Sequence, residues 1–215
     1  PGELGKVYSC VRKAGVTYAL ESVDGYLHIR WSPLHRVEPE SFPLLNDFPT
    51  EIPDTKGSNS RLLIVGDYVF AVGGDFVYRI QRAGRSLGVV QVGQGDSLLH
   101  ANAVTTAGNT LFMATNKGLL ALDAKTGGGQ YVAAIDRLYQ DLVGGWITGT
   151  MYSPAGSYTP WLGYDSNLNC LFLSLRDSRC ICLWLGSGRV TLLGGMPWEN
   201  VAVSEDLDTG TLPRL

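Results

Sequence analysis

The feature that most constrains this chain is a short hairpin that recurs along it. Asn109 to Gly127 reads NTLFMATNKGLLALDAKTG. Leu111 to Thr115 is an apolar strand, Asn116-Lys117-Gly118 a turn, and Leu119 to Asp123 the returning strand. Asn and Gly supply the positive φ that a tight hairpin turn uses. A second turn follows from Asp123 to Gly127, loosened by Gly127 to Gly129. The pattern returns as Tyr68–Val72 with Phe76–Ile80 across Gly73-Gly74-Asp75. It returns again as Cys170–Leu175 with Cys180–Trp184 across Arg176 to Arg179. A weaker copy pairs Val16–Leu20 with Tyr26–Trp31 across Asp24-Gly25. Anchoring each copy on Tyr18, Phe70, Phe112 or Phe172 gives intervals of 52, 42 and 60 residues, against the roughly 40 to 50 that mark four-stranded propeller blades.

The composition of faces separates a propeller from a sandwich. With a four-residue turn after Leu175, one face of the Cys170–Trp184 hairpin carries Leu171, Leu173, Leu175, Cys180, Cys182 and Trp184. The other carries Cys170, Phe172, Ile181 and Leu183. A sheet apolar on both sides must be covered on both sides, whereas a two-layer sandwich leaves its outer faces polar. The expected fold is all-β: a single β-propeller domain over residues 1–215, of about four to five blades or part of a larger propeller.

Between the hairpins, Lys6–Cys10 adds a strand to the first copy. The five prolines Pro33, Pro39, Pro43, Pro49 and Pro53 mark residues 33–60 as a crossing loop. Arg61–Gly66, Tyr68–Val72, Phe76–Gln81 and Leu87–Val92 make the most regular blade. His100–Thr105, Leu111–Thr115, Leu119–Asp123 and Tyr131–Ile135 make the next. One short helix near 137–143 is expected, capped by Asp136, with Leu138, Tyr139, Leu142 and Val143 on one face and Gly144-Gly145 as its stop. Residues 145–160 form an aromatic connection. Trp161–Tyr164, Cys170–Leu175, Cys180–Trp184 and Arg189–Leu193 form a further blade. Met196–Ser204 starts another strand, and residues 205–215 are an acidic turn or tail. The chain opens Pro1-Gly2-Glu3 without an initiator Met, as expected after loss of a leader or for a segment of a longer protein.

Chemistry-bearing motifs point away from catalysis. At 45% hydrophobic and 17% charged residues the chain is globular, and a net charge of −3 provides no basic field for nucleic acid. No apolar run is long enough to span a bilayer. Gly84-Arg85-Ser86-Leu87-Gly88 matches the serine-nucleophile pattern, but a strand rather than a helix follows it, so it reads as a hairpin turn. His28, His35 and His100 lack metal-ligand spacing, and Cys10, Cys170, Cys180 and Cys182 read as buried free thiols. Asp123, Asp136, Asp141 and Asp165 have turn, cap or surface roles. No cofactor, metal or small-molecule site is expected. Arg79, Arg82 and Arg85 crowd one hairpin exit, and Arg176 with Arg179 another, as solvated tips or as an anion site. Trp146, Tyr152, Tyr158, Trp161 and Tyr164 either cover the propeller's own edge or form an interface. The candidate interface residues are Trp146, Tyr152, Tyr158, Arg82, Arg85 and Trp198.

Leu119 to Gly127, LLALDAKTG, resembles the repeat of PQQ-like propellers, which implies a scaffold domain of a cellular protein complex. The order from Asp67 to about Glu199 covers more of the chain. It runs through NTLFMATNKGLLALDA, YVAAI, DRLYQDL, LGYDSNLNCLFLSL and CICLWLGSGRVTLL to Trp198. This order resembles the propeller of tail nozzle and packaged-DNA-stabilisation proteins of short-tailed phages. That resemblance implies a non-enzymatic virion component, assembled in the host cytoplasm, whose partners are copies of itself and adjacent tail proteins. An enzyme with its site in the central channel is the third alternative.

Overall fold

Each recurring hairpin becomes the middle of a four-stranded antiparallel meander. The computed structural model describes residues 5–32, 46–74, 76–83, 86–94, 98–147, 160–175 and 179–194. The first sheet pairs β1 (Lys6–Lys13), β2 (Val16–Val23), β3 (Tyr26–Trp31) and β4 (Asp47–Pro53) in chain order. The second pairs β5 (Arg61–Val65), β6 (Tyr68–Val72), β7 (Phe76–Ala83) and β8 (Ser86–Gln94). The third pairs β9 (Val104–Ala107), β10 (Thr110–Ala114), β11 (Leu119–Asp123) and β12 (Gly129–Tyr131). The fourth pairs β13 (Trp161–Asp165), β14 (Cys170–Leu175), β15 (Arg179–Trp184) and β16 (Arg189–Leu193). One helix, α1 (Asp136–Ile147), leaves the third sheet.

The first strands of successive sheets pack on one another: β1 on β5, β5 on β9 and β9 on β13. The sheets are therefore blades of a β-propeller, with first strands inward and fourth strands at the rim. The anchors Tyr18, Phe70, Phe112 and Phe172 each occupy the third position of the second strand of their sheet.

Packing between blades explains the stacking. On the second sheet, Leu62, Val69, Ala71 and Ile80 join Val16, Tyr18, Leu20, Leu27 and Ile29 of the first in one buried core. Its other face places Val65, Phe70, Val72 and Val77 in a core shared with the third and fourth sheets. Burying one such side chain contributes about 1.5–3 kcal/mol.

Several local expectations change. The crossing loop predicted over 33–60 contains β4, which pairs with β3 through Ile29–Phe48 and Arg30–Asp47, and a 3-10 turn at Asp54–Asn59. Prolines are tolerated there because, among the described residues, β4 is an outer strand with one unpaired edge. The helix runs through Gly144-Gly145 to Ile147, since glycine lowers helix propensity without removing a backbone donor. Asp136 is its first residue rather than a flanking cap. The third sheet starts at Val104, not His100, and Ala133–Ile135 is a 3-10 turn rather than strand. Strand pairing at Met196–Ser204 and the tail at 205–215 lie outside the described residues.

Turn chemistry also divides. Asp24 and Gly25 sit at φ 50° and 85°, as a two-residue hairpin loop demands. The Asn116-Lys117-Gly118 turn uses no positive φ. Instead the Thr115 hydroxyl donates to the Gly118 carbonyl at 2.8 Å and accepts from the amides of Lys117 and Gly118 at 3.2 Å. The turn after Asp123 is tightly knit, not loose: the Asp123 carboxylate accepts from the Lys125 amide, the Thr126 amide and the Thr126 hydroxyl at 3.1, 2.7 and 2.9 Å.

Phe70→Ala should destabilise the fold by about 3–5 kcal/mol, because the core it shares with the third and fourth sheets constrains collapse of the cavity. Ile64→Ala, at a side chain 39% exposed on β5, should change stability by under about 0.5 kcal/mol. Urea unfolding monitored by circular dichroism distinguishes these outcomes.

Candidate functional site

A hollow opens where the first two blades meet. The end of β1 contributes Lys13, the β1–β2 turn Ala14, β2 Val16 and Tyr18, the β5–β6 turn Asp67, and β6 and β7 contribute Val69, Ile80 and Gln81. Its volume is about 280 Å³. Val16, Tyr18, Val69 and Ile80 belong to the core between these blades, so the floor is rigid and apolar. Lys13, Asp67 and Gln81 supply polar ends at the rim. The Lys13 ammonium donates to the Gly66 carbonyl, which ties one blade's turn to the next. An apolar floor with a few convergent polar groups suits an inserted side chain or a small amphipathic group.

Elsewhere the polar groups are committed to structure. Asp165 is buried and accepts from the amides of Asn167 and Leu168 at 2.8 and 3.1 Å, closing the β13–β14 turn. Asp123 does the same for its own turn, and the Thr126 hydrogen bonds lower its carboxyl pKa. These two observations agree with the turn roles expected of both residues. Tyr139 is fully buried and donates to the Thr115 carbonyl at 2.6 Å, fastening α1 to the β10–β11 turn. Burial holds its hydroxyl protonated far above the ordinary range. Ser86 begins β8 with no helix behind it, so the serine-nucleophile pattern is a hairpin.

The first sheet carries a charged cluster that sequence reasoning missed. On its face away from the second blade, the Arg30 guanidinium donates to the Glu21 carboxylate at 2.7 Å, and the Gly5 amide donates to the same carboxylate at 2.9 Å. Glu21 is 0% and Arg30 5% exposed in their side chains. His28 pairs with Asp47 at 2.9 Å beside them. The signal was available: Thr17, Ala19 and Glu21 alternate along β2, with His28 and Arg30 as their partners on β3.

The thiols are rearranged as well. Leu175 pairs with Arg179, so three residues rather than four link β14 and β15. That change of one residue alters which side chains share a face. Cys170, Phe172, Ser174, Cys180, Cys182 and Trp184 now lie together, and Leu171, Leu173, Ile181 and Leu183 lie opposite. Cys170 therefore joins Cys180 and Cys182 in a buried cluster instead of facing away. The Cys170 and Cys180 thiols donate to the carbonyls of Leu171 and Ile181 at 3.5 and 3.8 Å, and contact with Cys182, together with burial, raises the pKa of both. All four cysteines are free, but Cys10 is exposed rather than buried, because it lies on the outward face of β1. Among the described residues no three His, Cys, Asp or Glu side chains are disposed to hold a metal ion. Nor is any helix there long and apolar enough to cross a membrane.

Of the expected interface residues, Tyr152, Tyr158, Arg85 and Trp198 lie outside the described residues. Trp146 lies in α1 and Arg82 in β7, with only their backbones described. Arg79 is no solvated tip. Its guanidinium donates to the carbonyls of Ala124, at 3.2 Å, and Lys125, and stacks 5.0 Å from the Tyr68 ring. It therefore clamps the second blade to the third. Trp161 is buried in the fourth blade rather than offered to a partner.

Two measurements probe these placements. A thiol reagent should label Cys10 in the native protein and the other three cysteines only after unfolding; rapid native labelling of more than one thiol contradicts the buried cluster. Glu21→Gln should cost about 3–5 kcal/mol by removing the carboxylate charge that faces the buried Arg30 guanidinium at 2.7 Å, read as a lowered denaturation midpoint.

No family model and no curated protein sequence matches this chain. Solved structures do match. A protein from Lactobacillus plantarum superposes with a TM-score of 0.56 at 10% identity, over 90% of this chain and 57% of its own. The N-terminal domain of Nup159 gives 0.51 at 15% identity, over 92% and 46%. BamB from Moraxella catarrhalis gives 0.50 at 12% identity, over 88% and 52%. The chain thus spans about half the length of these structures, and at such identities the likeness is one of fold, a β-propeller.

Proposed function

We propose that this chain is a non-catalytic interaction scaffold whose rigid blades present the hollow between the first and second sheets to another protein. The observation that carries the proposal is the hollow itself: an apolar floor fixed by two blades, with Lys13, Asp67 and Gln81 at its rim. Propeller blades hold such a surface at low entropic cost because the β-ladders already order their backbones. A partner side chain with an apolar stem would fill the floor and meet the rim charges with its polar end. Asp123, Asp165 and Tyr139, which sequence alone offers as acid–base candidates or core, are each committed to holding a turn or the helix.

The finer reading is a nozzle-like ring component of a short-tailed phage tail, carried in the virion. It draws support from element order: β12, the short helix α1, then β13 closing on Tyr164-Asp165. The cellular alternative is a scaffold domain of a protein complex. Assembly separates them, because a nozzle forms a ring of many copies visible by negative-stain electron microscopy.

A photo-cross-linking side chain at Gln81 tests the scaffold reading in the organism of origin. A discrete protein adduct is expected. The charge exchange Asp67→Lys, which leaves Lys13 and its bond to the Gly66 carbonyl in place, should abolish it without lowering the unfolding temperature. Absence of any adduct, or an adduct indifferent to the exchange, would overturn the assignment of the hollow.

A further inference from the structure

The four outer strands are not protected alike. A sheet edge presents unpaired backbone donors and acceptors, and natural edges are blunted by shortness, proline or charge. β4 carries Pro49 and Pro53 together with Asp47 and Glu51. β12 is only 3 residues long, and β16 is 5 residues beginning with Arg189. β8, SLGVVQVGQ, is 9 residues long and contains neither a charge nor a proline.

The exposed part of this edge can be located. Ala83 pairs with Ser86 across a two-residue link, which makes that pair the hydrogen-bonded one closing the hairpin. Alternation then turns the backbone groups of Gly88 and Val90 toward β7 and those of Leu87, Val89 and Gln91 outward. Beyond Gln91 the register shifts: Tyr78 pairs with Gln91 but Val77 with Gly93, leaving Val92 as a bulge. Val92 sits against Gly127 of the third sheet, where an added Cβ would approach it to 3.0 Å. Among the described residues Leu87 to Gln91 therefore remains as a free, regular edge, with Val90 51% exposed beside it. Among the described residues β8 pairs with no strand other than β7.

We infer that this chain self-associates as a two-fold dimer in which the free edge of β8 pairs antiparallel with the β8 of a second copy. The two-fold axis passes beside Val89, the middle of the three outward-facing residues. Val89 then faces its own copy, and Leu87 of one chain faces Gln91 of the other. An uncharged strand makes this pairing without opposing like charges, which destabilise a cross-strand pair. The second sheets of the two copies become one continuous sheet. A short edge contact lies at the small end of specific interfaces, so the dimer is reversible. The inference rests on neither functional reading above.

Light scattering on size-exclusion fractions, from micromolar to millimolar loading, tests it. The mass should rise with concentration from the 23.2 kDa of one chain toward twice that value. Val89→Pro removes an outward N–H that β7 does not use, and should hold the protein monomeric. Val90→Lys introduces two like charges near the axis and should do the same, with unchanged circular dichroism in case the proline disturbs folding. Val7→Lys, at a valine 41% exposed on β1, should leave the dimer intact. A monomer at every concentration overturns the inference. So does a dimer that survives Val90→Lys, or one lost equally in Val7→Lys.

Discussion

The fold depends on one constraint: its interior sheets are apolar on both faces and cannot stand in water unless each is covered twice. Hydrogen bonding within a sheet satisfies the backbone but leaves the faces to be buried by neighbours. The second blade shows the consequence, with Val69 and Ala71 turned to the first blade and Phe70 and Val72 to the third. Consecutive residues along β6 thus lie in different cores. Radial stacking meets this requirement because every interior blade has two neighbours. Arg79 and Lys13 add polar ties across the same seams, each bonding a carbonyl of the adjoining turn.

The first and fourth blades differ in what they carry on the faces turned away from the rest. The first carries Glu21, Arg30, His28 and Asp47, a polar set whose Glu21–Arg30 ion pair is buried. A buried ion pair gains little net stability against apolar packing, but it penalises any arrangement that separates its members. The fourth presents Cys170, Cys180 and Cys182 with Phe172 and Trp184, and so continues the apolar pattern of the interior blades. Its Phe172 holds the same strand position as Tyr18, Phe70 and Phe112, which lie in the cores between blades. The two ends of the stack are chemically unlike.

Polar residues outside those faces mostly close turns. Thr115, Asp123 and Asp165 use side-chain oxygens to collect amides that a short loop leaves unpaired. This is why the acids most suggestive of catalysis in the sequence are structural, and why the hollow at Lys13 and Asp67 stands apart from them. Tyr139 extends the same logic, since its hydroxyl takes up the Thr115 carbonyl that the turn leaves open.

The sequence by itself determined the repeat, the strand positions in the second blade, the Asp24-Gly25 turn and the two-sided burial that implies a propeller. These features are local: alternation, turn propensity and hydrophobic runs act over a few residues. Only the tertiary structure decided the rest. Loop length between Leu175 and Arg179 set which face Cys170 shares, and counting residues in an Arg-rich turn does not reveal where pairing begins. β4 forms despite its prolines because β3 offers it an edge. Lys13, Asp67 and Gln81 meet in one hollow because three separate hairpins converge there. Contacts between distant segments depend on how sheets stack, and no short-range pattern encodes that arrangement.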